Sequence, residues 1–218
     1  MTESKRYYFR KGFIISSLLF NIIFLVGLLT AIYWNKNRIL QMVGFKQQVT
    51  IVMYGDSMMA NASWYRLLNR SDVHNSGIGG FTTSHFVWLL KDKVLKYNPK
   101  ICFLNGGIND IVTGIPQNRI EKNIISIIDT LQKHKIKVVL QAVVYGTDSI
   151  YTPDIVSLNN AYEKIARLKN VELINANDQL SKNKKLRDEY SIDGRHVNRT
   201  AYSHWAELVK NSLAKNNL

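Results

Sequence analysis

Short, unbroken apolar runs separated by stretches of helical periodicity constrain this chain more than any other feature. Val138-Val139-Leu140 and Ile101-Cys102-Phe103-Leu104 carry no polar side chain on either face. Strands of that kind are buried on both sides, as in a parallel sheet covered by helices. Candidate strands fall at 49–54, 72–75, 100–104, 137–144 and 171–174. Helical patterns lie between them near 59–70, 83–97, 117–134 and 154–169, with a last helix near 199–214. Ile120, Ile124, Ile127, Ile128 and Leu131 form a stripe that faces a core. This alternation predicts an α/β fold of three layers with a five-stranded parallel sheet and right-handed crossovers. In a doubly wound sheet, reactive side chains collect at the carboxyl ends of the strands.

The first 48 residues follow another pattern. Gly12 to Trp34 is a run of 23 residues without charge, and Asn21 is its one strongly polar side chain. As a helix rising about 1.5 Å per residue it is about 34 Å long, enough to cross a hydrocarbon core of about 30 Å. Tyr7, Tyr8 and Phe9 precede it and Tyr33-Trp34 close it, as interfacial aromatic belts do. A helix apolar all round has no polar face to show to water. The run exceeds an ordinary signal-peptide core, and Leu28 to Trp34 offers no Ala-x-Ala-like cleavage site. The expectation is a basic tail at 1–11, a retained transmembrane signal anchor at 12–34, a linker at 35–48 and the α/β domain at 49–218. Lys5, Arg6, Arg10 and Lys11 before the span outweigh Lys36, Arg38 and Lys46 after it. That balance favours a single-pass protein of a bacterial cytoplasmic membrane, with the α/β domain outside the cytoplasm.

The formal charge of +13 divides about evenly, since residues 1–48 hold seven of the 29 basic side chains and one of the 16 acids. The remaining excess, including Lys182, Lys184, Lys185 and Arg187, suits either a solvated face or an anionic lipid or polysaccharide. No nucleic-acid motif accompanies it. Cys102 is the only cysteine, which excludes an intramolecular disulfide and any zinc-finger spacing. His74, His85, His134 and His204 show no metal-ligand spacing. Gly77 and Gly79 belong to neither Gly-x-Gly-x-x-Gly nor a P-loop, which excludes the common phosphate-binding loops.

Ser57 stands in Gly55-Asp56-Ser57, directly after the first apolar run. A serine hydroxyl needs a base to become a nucleophile. His196 is the best of the five histidines, because Asp193 precedes it by three residues and can fold back onto one ring nitrogen. The charge that develops on an attacked carbonyl needs preorganised donors. The backbone N–H groups of Ser57 and Gly80 and the side-chain amide of Asn109 are the candidates. Singly, each motif also reads as a turn or helix cap. Their order along the chain, each at a strand end or in a loop, points to acyl transfer.

These blocks resemble the SGNH/GDSL hydrolase family. The matching segments are Gly55-Asp56-Ser57, then Asn75 to Thr83, then Gly107-Ile108-Asn109-Asp110, then Asp193-Gly194-Arg195-His196, followed by Asn198, Tyr202 and Trp205. The second block, with His85 and Trp88 after it, is similar to the platelet-activating-factor acetylhydrolase branch. The resemblance spans roughly 49–214 and implies a flavodoxin-like α/β/α sandwich. It implies Ser57 as nucleophile, His196 as base, Asp193 as its partner, and Ser57, Gly80 and Asn109 as the oxyanion hole. No metal or organic cofactor is implied. Met58, Val197 and Ala201 depart from the usual residues, and Met58 bears on how the helix after Ser57 packs.

The leading expectation is a membrane-anchored ester hydrolase that works through a Ser57 acyl-enzyme on O-acetyl or other short acyl esters of a small molecule, glycan or lipid. An O-acyltransferase for surface polysaccharide uses the same acyl-enzyme. A non-catalytic anchored binding module is the reading from a different class. Acyl length, the alcohol and the oligomeric state are not encoded in these motifs.

Overall fold

The computed structural model describes residues 3–42, 48–148 and 150–218. The chain divides into two units, Met1–Gln47 and Gln48–Leu218. The first is built on helix α1 (Glu3–Met42). Its stretch Phe13–Asn35 is 23 residues long, apolar and unburied. Asn21, Thr30 and Asn35 turn their polar atoms back onto the carbonyls of Ser17, Val26 and Ala31 at 2.7–2.9 Å, so the outward surface stays apolar. The helix continues to Met42, so the first part of the connector expected at 35–48 is helical; residues 43–47 lie outside the described residues.

The second unit holds five parallel strands, β1 (Ile51–Gly55), β2 (Val73–Gly77), β3 (Ile101–Leu104), β4 (Lys137–Gln141) and β5 (Glu172–Ile174), in the order β2-β1-β3-β4-β5. That is the flavodoxin-like order, with its reversal between β1 and β3. The helices are α2 (Ser57–Ala60), α3 (Trp64–Leu67), α4 (Thr83–Lys93), α5 (Ile108–Val112), α6 (Gln117–Lys133), α7 (Thr152–Lys169), α8 (Asn177–Leu180) and α9 (Arg199–Lys215).

Alternate residues of each strand enter opposite cores, as the two-residue strand period demands. Ile51, Met53, Ile101 and Phe103 meet Trp64 of α3 and Trp205 of α9 on one face. Val52, Tyr54, Cys102 and Leu104 meet Phe86 of α4, the isoleucine stripe of α6, and Leu158 and Tyr162 of α7 on the other.

Two elements differ from the periodicity. The helix expected near 59–70 is split into α2 and α3, because the Asn75 amide donates to the carbonyls of Met59, Ala60 and Ala62 at 2.8, 3.3 and 3.0 Å. Those acceptors are then lost to a continuous helix. The strand expected at 137–144 ends at Gln141. The Asn159 side chain bonds the N–H and C=O of Val143 at 2.8 and 2.9 Å, replacing a neighbouring strand. Val143 and Val144 therefore enter the loop above the sheet.

Candidate active site

The site begins where β1 ends. Asp56 caps α2 by accepting the Met58 N–H at 2.9 Å, which starts the helical turn at Ser57. Tyr202 of α9 donates its hydroxyl to the Met58 carbonyl at 2.8 Å, and the Trp64 indole donates to Met59 at 3.0 Å. Met58, the departure from the usual residue, is buried in the core. Ser57 is thus fixed from the sheet, from α3 and from α9.

The loop before α9 brings His196 to it. Ser57 Oγ and His196 Nε2 are 3.0 Å apart, and His196 Nδ1 lies 2.7 Å from Asp193 Oδ2. Asp193 Oδ1 also accepts the backbone N–H groups of His196 and Arg195, at 2.7 and 3.0 Å. These bonds, with the His196 N–H foremost, hold the Asp193 carboxyl well below the usual carboxylate range. A charged Asp193 accepting Nδ1–H leaves Nε2 with the lone pair that faces the hydroxyl.

Gly194 makes the tight turn between Asp193 and His196. Its φ is +85°, its N–H donates to Ser191 Oγ at 2.7 Å, and its carbonyl accepts the Thr147 N–H at 2.8 Å. Asn198 caps α9 and bonds the Glu189 carbonyl at 2.7 Å, which closes the loop from below.

Opposite His196, the segment after β2 passes Ser57. A Cβ added to Gly79 would lie 3.8 Å from the Ser57 Cβ. Gly80 has φ +76°, and its N–H makes no hydrogen bond among the described residues. Asn109 Nδ2 donates to the Phe81 carbonyl at 2.9 Å, which orients its amide and leaves one N–H uncommitted. The neighbouring Asp110 is fully buried; it accepts Thr83 N–H at 2.9 Å and Thr83 Oγ1–H at 2.6 Å. Asn123 of α6 donates to Thr83 Oγ1 at 2.9 Å. The segments that carry Gly80 and Asn109 are therefore stapled together.

The motifs thus place Ser57, His196 and Asp193 in one hydrogen-bonded chain, with Gly80 and Asn109 on linked segments. The staple through Thr83 and Asp110 was not visible from spacing; its one signal is an acid set between the apolar Ile108 and Ile111 of a short helix. Asp56 is the other hidden member. It is almost fully buried, its Oδ2 has no hydrogen-bond partner among the described residues, and burial pushes its pKa up to about 6.

The remaining histidines pack elsewhere: His74 against Tyr97, His85 in the α4 capping box, His134 on the Thr130 carbonyl, His204 against Tyr190. Among the described residues, no three His, Cys, Asp or Glu side chains gather as a metal ion requires.

A parallel five-stranded sheet with a serine, a histidine and an acid in sequence at its carboxyl edge is the architecture of a carboxylic-ester hydrolase. The chain belongs to the GDSL-like lipase/acylhydrolase family, whose profile matches residues 52–204. A GDSL-like lipase from Bacteroides thetaiotaomicron superposes with a TM-score of 0.71, covering 83% of this chain and 97% of that one at 22% identity. A lipase/acylhydrolase from Enterococcus faecalis gives 0.67, over 77% and 96% at 22% identity. An acetyl xylan esterase gives 0.66, over 76% and 100% at 22% identity. In sequence, the chain is 25% identical over 177 residues to an N-acylneuraminate cytidylyltransferase of Streptococcus agalactiae, covering 78% of this chain. It spans 41% of that protein's length, about two fifths of the curated relatives it matches.

Proposed function

We propose that the chain is a membrane-anchored serine esterase that removes short acyl groups from a glycan or lipid. The carrying observation is the continuous path Ser57 Oγ–His196 Nε2 at 3.0 Å and His196 Nδ1–Asp193 Oδ2 at 2.7 Å. Ser57 Oγ attacks the ester carbonyl carbon while its proton passes to His196 Nε2. The carbonyl oxygen takes the negative charge, received by the N–H groups of Ser57 and Gly80 and the amide of Asn109. Collapse of this intermediate breaks the ester C–O bond, and the departing alkoxide takes the proton from His196. Water, deprotonated by the same nitrogen, then attacks the acyl-enzyme and releases the acid.

Two features support the short acyl group and the glycan. The second motif block is similar to the acetylhydrolase branch. Relatives and neighbours named for N-acylneuraminate and for acetyl xylan share the sequence or the fold. The apolar helix Phe13–Asn35 supports anchoring, and the flanking charge favours a domain outside the cytoplasm.

Full-length chain in detergent should hydrolyse nitrophenyl acetate and react with a fluorophosphonate probe. Ser57→Ala should abolish both. Esterase activity that survives in Ser57→Ala overturns the reading. An acyl group delivered to a glycan hydroxyl faster than to water redirects it to a transferase.

A further inference from the structure

An open groove borders the site on the side of α3 and α9. It is lined by Asn61 and Arg66, by Ile192 and Val197 of the loop that carries His196, and by Arg199 and Tyr202 of α9. Hydrogen bonds tie this lining to Ser57 and His196. Asn61 N–H donates to the Ser57 carbonyl at 2.9 Å, and Ile192 N–H donates to the His196 carbonyl at 2.9 Å. Tyr202 donates its hydroxyl to the carbonyl of Met58, the residue after Ser57, at 2.8 Å. Val197 follows His196 directly. The groove therefore starts beside the imidazole.

Its charge is one-sided, because the lining holds two guanidinium groups and no carboxylate. Arg70, Arg167 and Arg187 pair with Asp72, Glu163 and Glu189 at 2.8, 3.9 and 3.6 Å. Arg66 and Arg199 are exposed and make no ion pair among the described residues. The Arg66 guanidinium meets the Tyr65 ring, 5.4 Å from its centroid, which leaves its N–H groups free for an acceptor. Each guanidinium is a planar fork of donors that matches a carboxylate.

We propose, on the esterase reading above, that this groove holds the alcohol part of the substrate, and that this part is a sugar whose carboxylate is gripped by Arg66 and Arg199. The leaving alkoxide takes its proton from His196 Nε2, so the alcohol part lies against the imidazole, where the groove begins. The Asn61 amide and the Ser63 hydroxyl in the same lining offer partners to sugar hydroxyls. Ile192, 70% exposed, offers an apolar surface to one face of the ring. A lipid headgroup would bring acyl chains that need apolar cover, and this polar lining offers little.

The test compares kcat/KM of the full-length protein on an O-acetylated methyl hexuronoside and on the neutral O-acetylated methyl hexoside. Charge-assisted bonds to arginine place the expected preference of wild type for the acidic sugar at about tenfold or more. It should lie in KM, since a carboxylate remote from the ester binds alike in ground and transition states. Raising salt from about 0.02 to about 0.5 M should shrink it. Arg66→Gln and Arg199→Gln should each reduce the ratio, and the double variant should bring it close to unity. Arg119→Gln on α6, also exposed and without an ion pair among the described residues, should keep the wild-type ratio. Equal rates on the two sugars, or a preference that survives in the double variant, overturns the assignment. So does faster cleavage of an acetylated glycerol phosphate than of the uronoside, or cleavage of nitrophenyl acetate with neither sugar turned over. Esterase activity that persists in Ser57→Ala instead overturns the esterase reading, so the two failures are separable.

Discussion

Thr83 gives both of its donors to Asp110: the backbone N–H at 2.9 Å and the hydroxyl at 2.6 Å, onto the two oxygens of one buried carboxyl. Asp110 follows Asn109, and Thr83 lies three residues after Gly80, so this pair sets the spacing of two proposed oxyanion donors. A displacement of about 1 Å in such groups costs on the order of 10²-fold in rate. Thr83→Val should therefore lower kcat about 10- to 100-fold with KM little changed, and weaken binding of a boronate transition-state analogue. Thr83→Ser, which keeps the hydroxyl, should retain most of kcat. An equal loss in both variants, tracking the fall in Tm, would mark a purely structural role.

Asn109 carries the second expectation. Its Nδ2 is anchored on the Phe81 carbonyl at 2.9 Å, which aims the remaining N–H and restrains the loop after Gly80. Asn109→Ala should lower kcat by about 10²–10³, the usual scale for one oxyanion donor. Fluorophosphonate labelling should slow in parallel, since the phosphoryl oxygen needs the same donors. Unaltered kcat would remove Asn109 from the hole.

Asp56 gives the fold a pH dependence of defined sign. Burial raises its pKa from an ordinary 3.8 to about 6, while the Met58 N–H and the nearby His196 oppose that rise. The folded state then binds a proton that the unfolded state has lost, so stability falls as pH rises from about 4 to about 6 and is level above. A shift of that size corresponds to about 2–3 kcal/mol for a group this buried. Asp110, also raised by burial, contributes with the same sign. Asp193 and Asp72, both lowered, act in the opposite sense and at lower pH. Tm measured from pH 4.5 to 7 should decline in wild type and decline less in Asp56→Asn, which keeps an acceptor for Met58 N–H. Equal slopes in the two proteins would mean that Asp56 is ionised throughout.

The sheet was legible because both of its faces are buried, which writes runs such as Ile101–Leu104 into the sequence without polar interruption. The hydrogen-bonded chain of Ser57, His196 and Asp193 was legible because its members sit in short local motifs. What spacing could not reveal were contacts closed by side chains distant in sequence. Asn75 splits the helix after Ser57, Asn159 ends β4 early, and Thr83 meets Asp110 across 27 residues. Such contacts leave no period, since each is one amide or hydroxyl reaching a backbone group placed by the finished fold.

Gly77 and Gly80, three residues apart, are glycines for different physical reasons, and alanine separates them. Gly80 has φ +76° but open space where a Cβ would go. Gly80→Ala therefore meets only the left-handed backbone penalty of about 1–2 kcal/mol. Gly77 has an ordinary φ, yet its Cβ would lie 2.2 Å from the Ala60 nitrogen and 2.7 Å from the Met59 carbonyl carbon. Both are backbone atoms of α2, which begins at Ser57, and backbone cannot swing aside as a side chain can. Gly77→Ala must push β2 and α2 apart, at about 3 kcal/mol or more for overpacking of this kind. It should also lengthen the 3.0 Å contact between Ser57 and His196. Thermal unfolding should thus show the larger Tm loss in Gly77→Ala, and its kcat should fall even well below that Tm. A Gly77→Ala protein as stable and active as Gly80→Ala would show that α2 is not packed against β2 as described.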